Sequence, residues 1–212
     1  MTIARKRVAV LISGRGSNMA ALVEASKAPD FPGEIVAVIA DRADAGGLDT
    51  ARAEGIAAVA VPRKGHADKA AHEAAVIAAI EASDAAVICL AGYMRLLSAE
   101  FVDRYKGRMI NIHPSLLPLF PGLDTHRRAI EAGKRVHGAT VHFVTFEMDG
   151  GPIIAQARVP VEPGDTPDSL SARVLVAEHA LYPKALAMLL REDVKMADEN
   201  AMFTTVGDTR DH

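Results

Sequence analysis

A chain of 212 residues, 50% hydrophobic and 24% charged, is long enough to bury one sizeable core and too apolar to stay disordered. Its formal net charge of -3, with no long basic run, offers no footing for nucleic acid or an anionic membrane. No stretch is long and apolar enough to span a bilayer, and the basic start runs into an apolar segment that ends at Ser13-Gly14, too soon for a signal peptide, so a cytoplasmic protein is expected. The one cysteine, Cys89, sits in Ala-Ala-Val-Ile-Cys-Leu and reads as a small buried hydrophobe, not a nucleophile.

In chain order the sequence alternates strand and helix. Residues 8–12 form an apolar run ending in Ser-Gly-Arg-Gly-Ser-Asn, and 19–25 have helical spacing. A second strand is predicted over 35–40, a helix over 47–54 and a short third strand over 57–61. The Ala-rich segment 67–82 carries its charges on one face and predicts a helix covering the sheet. A fourth strand over 86–90, a short helix over 98–105 and a fifth strand over 109–113 complete the alternation. Fully apolar strands in this rhythm imply a mainly parallel, doubly wound α/β sheet.

The second half changes rhythm. A short helix over 125–132 stops at Gly133, and two extended stretches, 139–145 and 153–161, flank the turn at Asp149-Gly-Gly-Pro152, which predicts an antiparallel hairpin. Thr166-Pro167 starts a helix, Thr as cap and Pro at the first position, that runs to about Leu190. Beyond Met196 the tail is polar and reads as irregular. With no repeat or linker, one domain is expected over 1–212: a phosphate- or nucleotide-binding half (1–105), a second half (106–196) and a tail (197–212).

Three groups of residues could carry chemistry. In Ser13-Gly-Arg-Gly-Ser-Asn18 the glycines allow a tight turn close to an anion, and Ser17 and Asn18 are expected to cap a helix whose amino end favours phosphate. A dinucleotide fingerprint would want a third glycine where Met19 stands, so a phosphate fits better than a pyrophosphate. A helix cap beside a turn is the structural alternative. Asp41, at the end of the second strand, could hold a ribose hydroxyl in a dinucleotide-binding protein, or simply end a strand.

The second group is Asn111 and His113. They are two residues apart on a strand, so both side chains leave on one face, and Pro114 ends the strand there. The alternative is a capped strand end with an incidental histidine. The third is Asp149, which from spacing alone is equally a turn residue. Beside a carboxylate, an imidazole is oriented and can shuttle a proton near neutral pH, and a carboxamide can donate to an oxygen gaining negative charge. With no evident nucleophile and no zinc-type histidine spacing, the residues suggest acyl transfer without a covalent enzyme intermediate, the attacking group coming from a substrate.

Five strings then resemble one family: Leu-Ile-Ser-Gly-Arg-Gly-Ser-Asn, Leu90-Ala-Gly-Tyr-Met-Arg-Leu-Leu97, Asn111-Ile-His-Pro-Ser-Leu-Leu-Pro118, His137-Gly-Ala-Thr-Val-His-Phe-Val144 and Asp149-Gly-Gly-Pro. Together and in this order they are similar to the phosphoribosylglycinamide formyltransferases. The Asn-x-His-Pro-Ser-Leu-Leu-Pro string is shared with other enzymes that use 10-formyltetrahydrofolate, and the Gly-x-Gly-Ser-Asn start narrows the match.

The resemblance implies transfer of the formyl group of 10-formyltetrahydrofolate to the amine of glycinamide ribonucleotide in purine biosynthesis, with no metal. It implies that Gly16, Ser17, Asn18 and Glu178 bind the ribonucleotide. It implies that Met94, Arg95, Leu96 and Leu97 line a folate pocket, closed by Thr145, Phe146, Glu147, Met148 and Asp149, and that Asn111, His113 and Asp149 are catalytic. Partners are then small molecules, and the protein a monomer or homodimer. Lys69 stands where some members carry a folate-contacting arginine, and keeps the charge without the planar fork. Asp124 replaces a histidine of the Pro-Gly-Leu-His-Thr-His loop, and Asp41 stands where asparagine is common.

Three other readings compete. A formyltetrahydrofolate hydrolase or a methionyl-tRNA formyltransferase shares the central string, and the extra domain each usually carries has no room in this sequence. A nucleotide-binding oxidoreductase would use Gly14, Gly16 and Asp41 and leave Asn111, His113 and Asp149 idle. A folate-binding module without catalysis is the last.

Overall fold

The computed structural model describes residues 5–196 and 205–206. The chain divides into two compact units, residues 1–109 and 110–212.

The first unit is built from β1 (Lys6–Ile12), α1 (Ser17–Ser26), β2 (Gly33–Ala40), α2 (Gly46–Ala53), β3 (Ala57–Ala60), α3 (Lys69–Ala82), β4 (Val87–Leu90) and α4 (Ala99–Arg104). Its strands lie in the order β3-β2-β1-β4, every pair parallel. Val8 to Ile12 and Val38 to Ala40 are fully buried, because strands covered by helices on both faces have no solvent side to leave polar. The chain winds outward from β1 to β3 and then returns to β4 on the other side of β1. Right-handed crossovers therefore place α1 and α2 on one face and α3 on the opposite one. That reversal leaves a crevice at the carboxyl ends of β1 and β4, where open α/β sheets bind ligands.

The second unit takes up β5 (Met109–His113), which starts at the boundary, and continues with α5 (Thr125–Glu131), β6 (Val136–Phe143), β7 (Ile153–Pro160) and α6 (Pro167–Leu190). The order is β5-β6-β7 and both pairs are antiparallel. The expected hairpin is present, and its first strand begins three residues earlier than predicted, because His137 and Gly138 pair with Val159 and Arg158. Gly138 must be glycine: a Cβ there would lie 1.9 Å from the Ala157 carbonyl oxygen. β5 also runs antiparallel to β6, which the alternation of the first half did not foretell.

The fold class is as expected, α/β with parallel pairing in the first half and an antiparallel hairpin in the second. α6 starts as its sequence predicts, with Thr166 and Ser169 forming a reciprocal capping box and Pro167 at the first position. The amino end of α1 departs from expectation. Gly16, not Ser17 or Asn18, is the cap residue, at φ 72 and with no side-chain cap bond. Glycine reaches this left-handed geometry without strain, so the helix begins directly after it. The tail expected to be irregular lies outside the described residues except at β9 (Thr205–Val206), which pairs with β8 (Val194–Lys195). Among the described residues no helix is long and apolar enough to cross a membrane.

Candidate active site

In the first unit, Ser13, Gly14, Arg15, Gly16, Ser17, Asn18, Ala91, Gly92 and Met94 line a cavity of about 260 Å³ at the crevice. Gly47 is tied in below, its N–H donating to the Gly14 carbonyl at 3.1 Å. A Cβ on Gly16 would meet Met19 Cε at 3.0 Å and the Gly47 Cα at 3.2 Å, so the turn is tight at Gly16, while a Cβ on Gly14 would meet nothing within 4 Å. The first turn of α1 holds no acidic side chain and its cap offers no oxygen. The positive end of this ten-residue helix is thus not neutralised by an acid of its own first turn.

The segment after β4 is fixed at two points. The Met94 N–H donates to Ser13 Oγ at 2.8 Å, and Arg95 Nε donates to Asp41 Oδ2 at 2.5 Å. At and just after these anchors Met94 and Leu96 are 70% and 73% exposed, an apolar surface. Asp41 is 3% exposed and taken up by Arg95, so it has no face to offer a ribose. The Asp41 carboxylate and burial hold the Tyr93 phenol neutral well above its usual range, burial being the larger cause. Lys69, first residue of α3, lies 3.7 Å from Glu73, whose carboxylate accepts from the Ser98 N–H and hydroxyl.

In the second unit, Asn111, His113 and Asp149 come together. The Asp149 Oδ2 atom lies 3.5 Å from His113 Nδ1 and accepts from the Gly122 N–H at 2.8 Å. Asp149 itself sits at φ 55, a left-handed turn residue, and two residues on stands Gly151, where a Cβ would lie 1.9 Å from the Phe143 carbonyl oxygen. Turn chemistry and a carboxylate aimed at an imidazole are thus the same residue's two properties. His113 Nε2 is 3.0 Å from the Phe120 carbonyl oxygen. A carbonyl can only accept, so Nε2 carries a hydrogen and Nδ1 is the atom that faces the acid.

One member of this cluster was not singled out from sequence. His142 is the cross-strand partner of Asn111, and Asn111 Nδ2 lies 3.2 Å from His142 Nε2. Burial pushes the His142 pKa down to about 4, against the pull of its bond to the Phe143 carbonyl and of Asp149. The ring is neutral, donates from Nδ1 to the Phe143 carbonyl at 2.8 Å, and accepts the Asn111 amide at Nε2. Its 3.8 Å approach to Asp149 Oδ1 is accordingly no ion pair. The signal that finds His142 is the antiparallel register of β5 on β6. His137 and His126 pack edge to face nearby, centroids 5.2 Å apart, and burial pushes His137 down to about 4 as well.

The remaining residues expected at the site in the second unit lie on α6 and on the turn that leads into Asp149. Glu178 lies on α6, 7% exposed. Thr145 is half-buried, and Phe146 and Met148 are 71% and 58% exposed on the turn ahead of Asp149. Asp124 caps α5 from a left-handed conformation, φ 56, without a side-chain bond, and nothing else in the structure explains it.

The formyl transferase family model matches residues 6–186. The chain belongs to the formyl transferase family. Among solved structures, the phosphoribosylglycinamide formyltransferase of Brucella melitensis is 58% identical with a TM-score of 0.86, over 88% of this chain and 96% of that one. The Escherichia coli phosphoribosylglycinamide formyltransferase is 47% identical over 92% of each chain. A bovine relative, the trifunctional purine biosynthetic protein adenosine-3, is 43% identical, and this formyl transferase spans 92% of its own length but only 19% of that protein.

Proposed function

We propose that this chain transfers the formyl group of 10-formyltetrahydrofolate to the amine of glycinamide ribonucleotide, giving formylglycinamide ribonucleotide and tetrahydrofolate. The observation that carries the reading is the placement of the Asp149 carboxylate 3.5 Å from His113 Nδ1, with Asn111 two residues away on the same strand. The relatives' names and the acid-free amino end of α1 support it.

In this mechanism Gly16, Ser17 and Asn18 hold the substrate phosphate, with Arg15 adding positive charge at the cavity wall. Glu178 contacts the same ribonucleotide. Met94, Arg95, Leu96 and Leu97, with the turn from Thr145 to Asp149, take the folate, and Lys69 supplies a cation toward its acidic tail. The neutral amine attacks the formyl carbon, and the carbonyl oxygen becomes an oxyanion. Asn111, one amide hydrogen fixed on His142, has its second hydrogen for that oxygen. His113 donates from Nε2 by sharing the hydrogen it now gives to Phe120. Asp149 keeps the imidazole oriented while the proton lost by the attacking amine passes to the departing folate nitrogen. No step calls for a metal.

The test is formyl transfer by the purified protein, with glycinamide ribonucleotide present or replaced by water alone. Tetrahydrofolate should appear in step with formylated ribonucleotide and only when the ribonucleotide is present. Release that proceeds equally without it would make the protein a hydrolase. Folate binding without turnover would leave a binding module.

A further inference from the structure

The loop between Phe120 and Asp124 holds both polar ends of the His113–Asp149 pair. The Phe120 carbonyl accepts from His113 Nε2, and the Gly122 N–H donates to Asp149 Oδ2 at 2.8 Å. The backbone that presents these groups is strained. Phe120 and Asp124 stand at φ 55 and 56, a region that residues with a side chain seldom adopt, and Gly122 at φ 76. Such a conformation persists only where its surroundings over-determine it.

What over-determines it is a side chain from α5. Arg128 Nη1 donates to the Pro121 carbonyl at 2.5 Å and to the Leu123 carbonyl at 3.2 Å. Its guanidinium carbon also lies 5.5 Å from the centre of the Phe120 ring. Alternate peptide groups of the loop are thus shared out: Phe120 and Gly122 serve the candidate catalytic residues, Pro121 and Leu123 serve Arg128. α5 is itself fixed next to the same strand, since Thr125 Oγ1 donates to the Pro114 carbonyl at 2.7 Å.

We propose that Arg128 is a positioning residue for formyl transfer, clamping Pro121 and Leu123 so that the loop offers its carbonyl to His113 and its amide to Asp149. This rests on the reading of His113 and Asp149 as catalytic. The arginine touches neither, so it acts on the chemical step through the loop and not on substrate affinity. Half-buried on a helix surface, it contributes little to the core.

Three variants test the proposal: Arg128→Met, which keeps the stem and loses the donors, Arg128→Ala, and Arg128→Lys, whose ammonium can still reach both carbonyls. For Met and Ala, kcat should fall roughly tenfold, the loss expected when reacting groups are misplaced by a fraction of an ångström. KM for glycinamide ribonucleotide and the melting temperature should hold, and Lys should recover most of kcat. A second reading needs no substrate: in nitrogen-15 spectra of the free protein, the His113 Nε2–H resonance should exchange with water faster in Arg128→Met than in the parent. Parent-like kcat and an unchanged resonance in Arg128→Met would overturn the proposal, as would a loss that tracks melting temperature alone. If the parent transferred no formyl group, the function would fall, and the resonance would still decide whether Arg128 holds the loop.

Discussion

Asn111 and His142 face each other across the β5–β6 ladder, and the amide of the first donates to the unprotonated ring nitrogen of the second at 3.2 Å. Because burial keeps that ring neutral, it acts as an acceptor that fixes which end of the carboxamide is nitrogen, the orientation the proposed oxyanion contact needs. His142→Phe keeps the ring volume and removes the acceptor. Its kcat should fall about tenfold, against a loss of about 3 kcal/mol, roughly a hundredfold, for Asn111→Ala. Steady-state kinetics on both substrates settle it. A His142→Phe enzyme with parent-like kcat would mean that the amide needs no such orientation.

Asp149→Asn keeps an oxygen for the Gly122 N–H and removes the charge beside His113. Turnover should drop at least about a hundredfold, within the range for lost acid–base function. The unfolding midpoint should stay near the parent's, because the bond to the loop survives. His113→Ala combined with Asp149→Asn should cost little more than the worse single change, since the two act as one unit. Additive losses would separate their roles.

Buried His137 and His142 give the protein an acid limb. Both have folded pKa values near 4, below the ordinary 6.5 of imidazole, so between those values the unfolded chain holds protons that the folded chain lacks. Stability is full above about pH 6.5 and is lost as the pH falls toward 4, by up to about 3 kcal/mol for each of the two rings. Urea midpoints measured from pH 7.5 to pH 5 should show the slope, and His137→Gln should flatten it. A parent midpoint that does not move over this range would place the protons elsewhere.

Asp41 and Arg95 form a pair whose acid is 3% exposed and whose other oxygen, Oδ1, has no hydrogen-bond partner among the described residues. A buried acid so incompletely satisfied contributes little to stability. Asp41→Leu should therefore melt no lower than the parent. It should release the Met94–Leu97 segment and raise KM for the folate severalfold while KM for the ribonucleotide holds. Asp41→Asn, which can still accept from Arg95, should fall between. Equal changes in both KM values would argue that Asp41 serves the whole crevice.

Gly16→Ala places a Cβ at φ 72, 3.0 Å from Met19 Cε and 3.2 Å from Gly47. The strain should cost about 1–3 kcal/mol of stability and distort the amides proposed to hold the phosphate. Thermal unfolding and KM for the ribonucleotide report the two effects. An alanine variant with unchanged KM would detach the phosphate from this turn.

The strands of the first half were legible because burial on both faces leaves them uniformly apolar, as 8–12 and 35–40 are. Strand β5 was found at its observed bounds because Pro114 stops it. Other features escaped because they are not local. That the space beside Gly16 is closed by Gly47, thirty-one residues along the chain, is set by the fold and not by the local sequence. Asp41 as the partner of Arg95 depends on a fold that joins residues 54 apart. His142 and Arg128 enter the candidate site through a cross-strand register and a loop conformation, and neither leaves a pattern in the order of residues.

Strand β5 carries Asn111 and His113, and its neighbouring Ile110 carbonyl accepts from the buried hydroxyl of Tyr182, far along α6. During synthesis the strand emerges some seventy residues before the side chain that steadies it. A nascent chain stopped short of α6 would therefore carry β5 without this bond, however well its first half had folded.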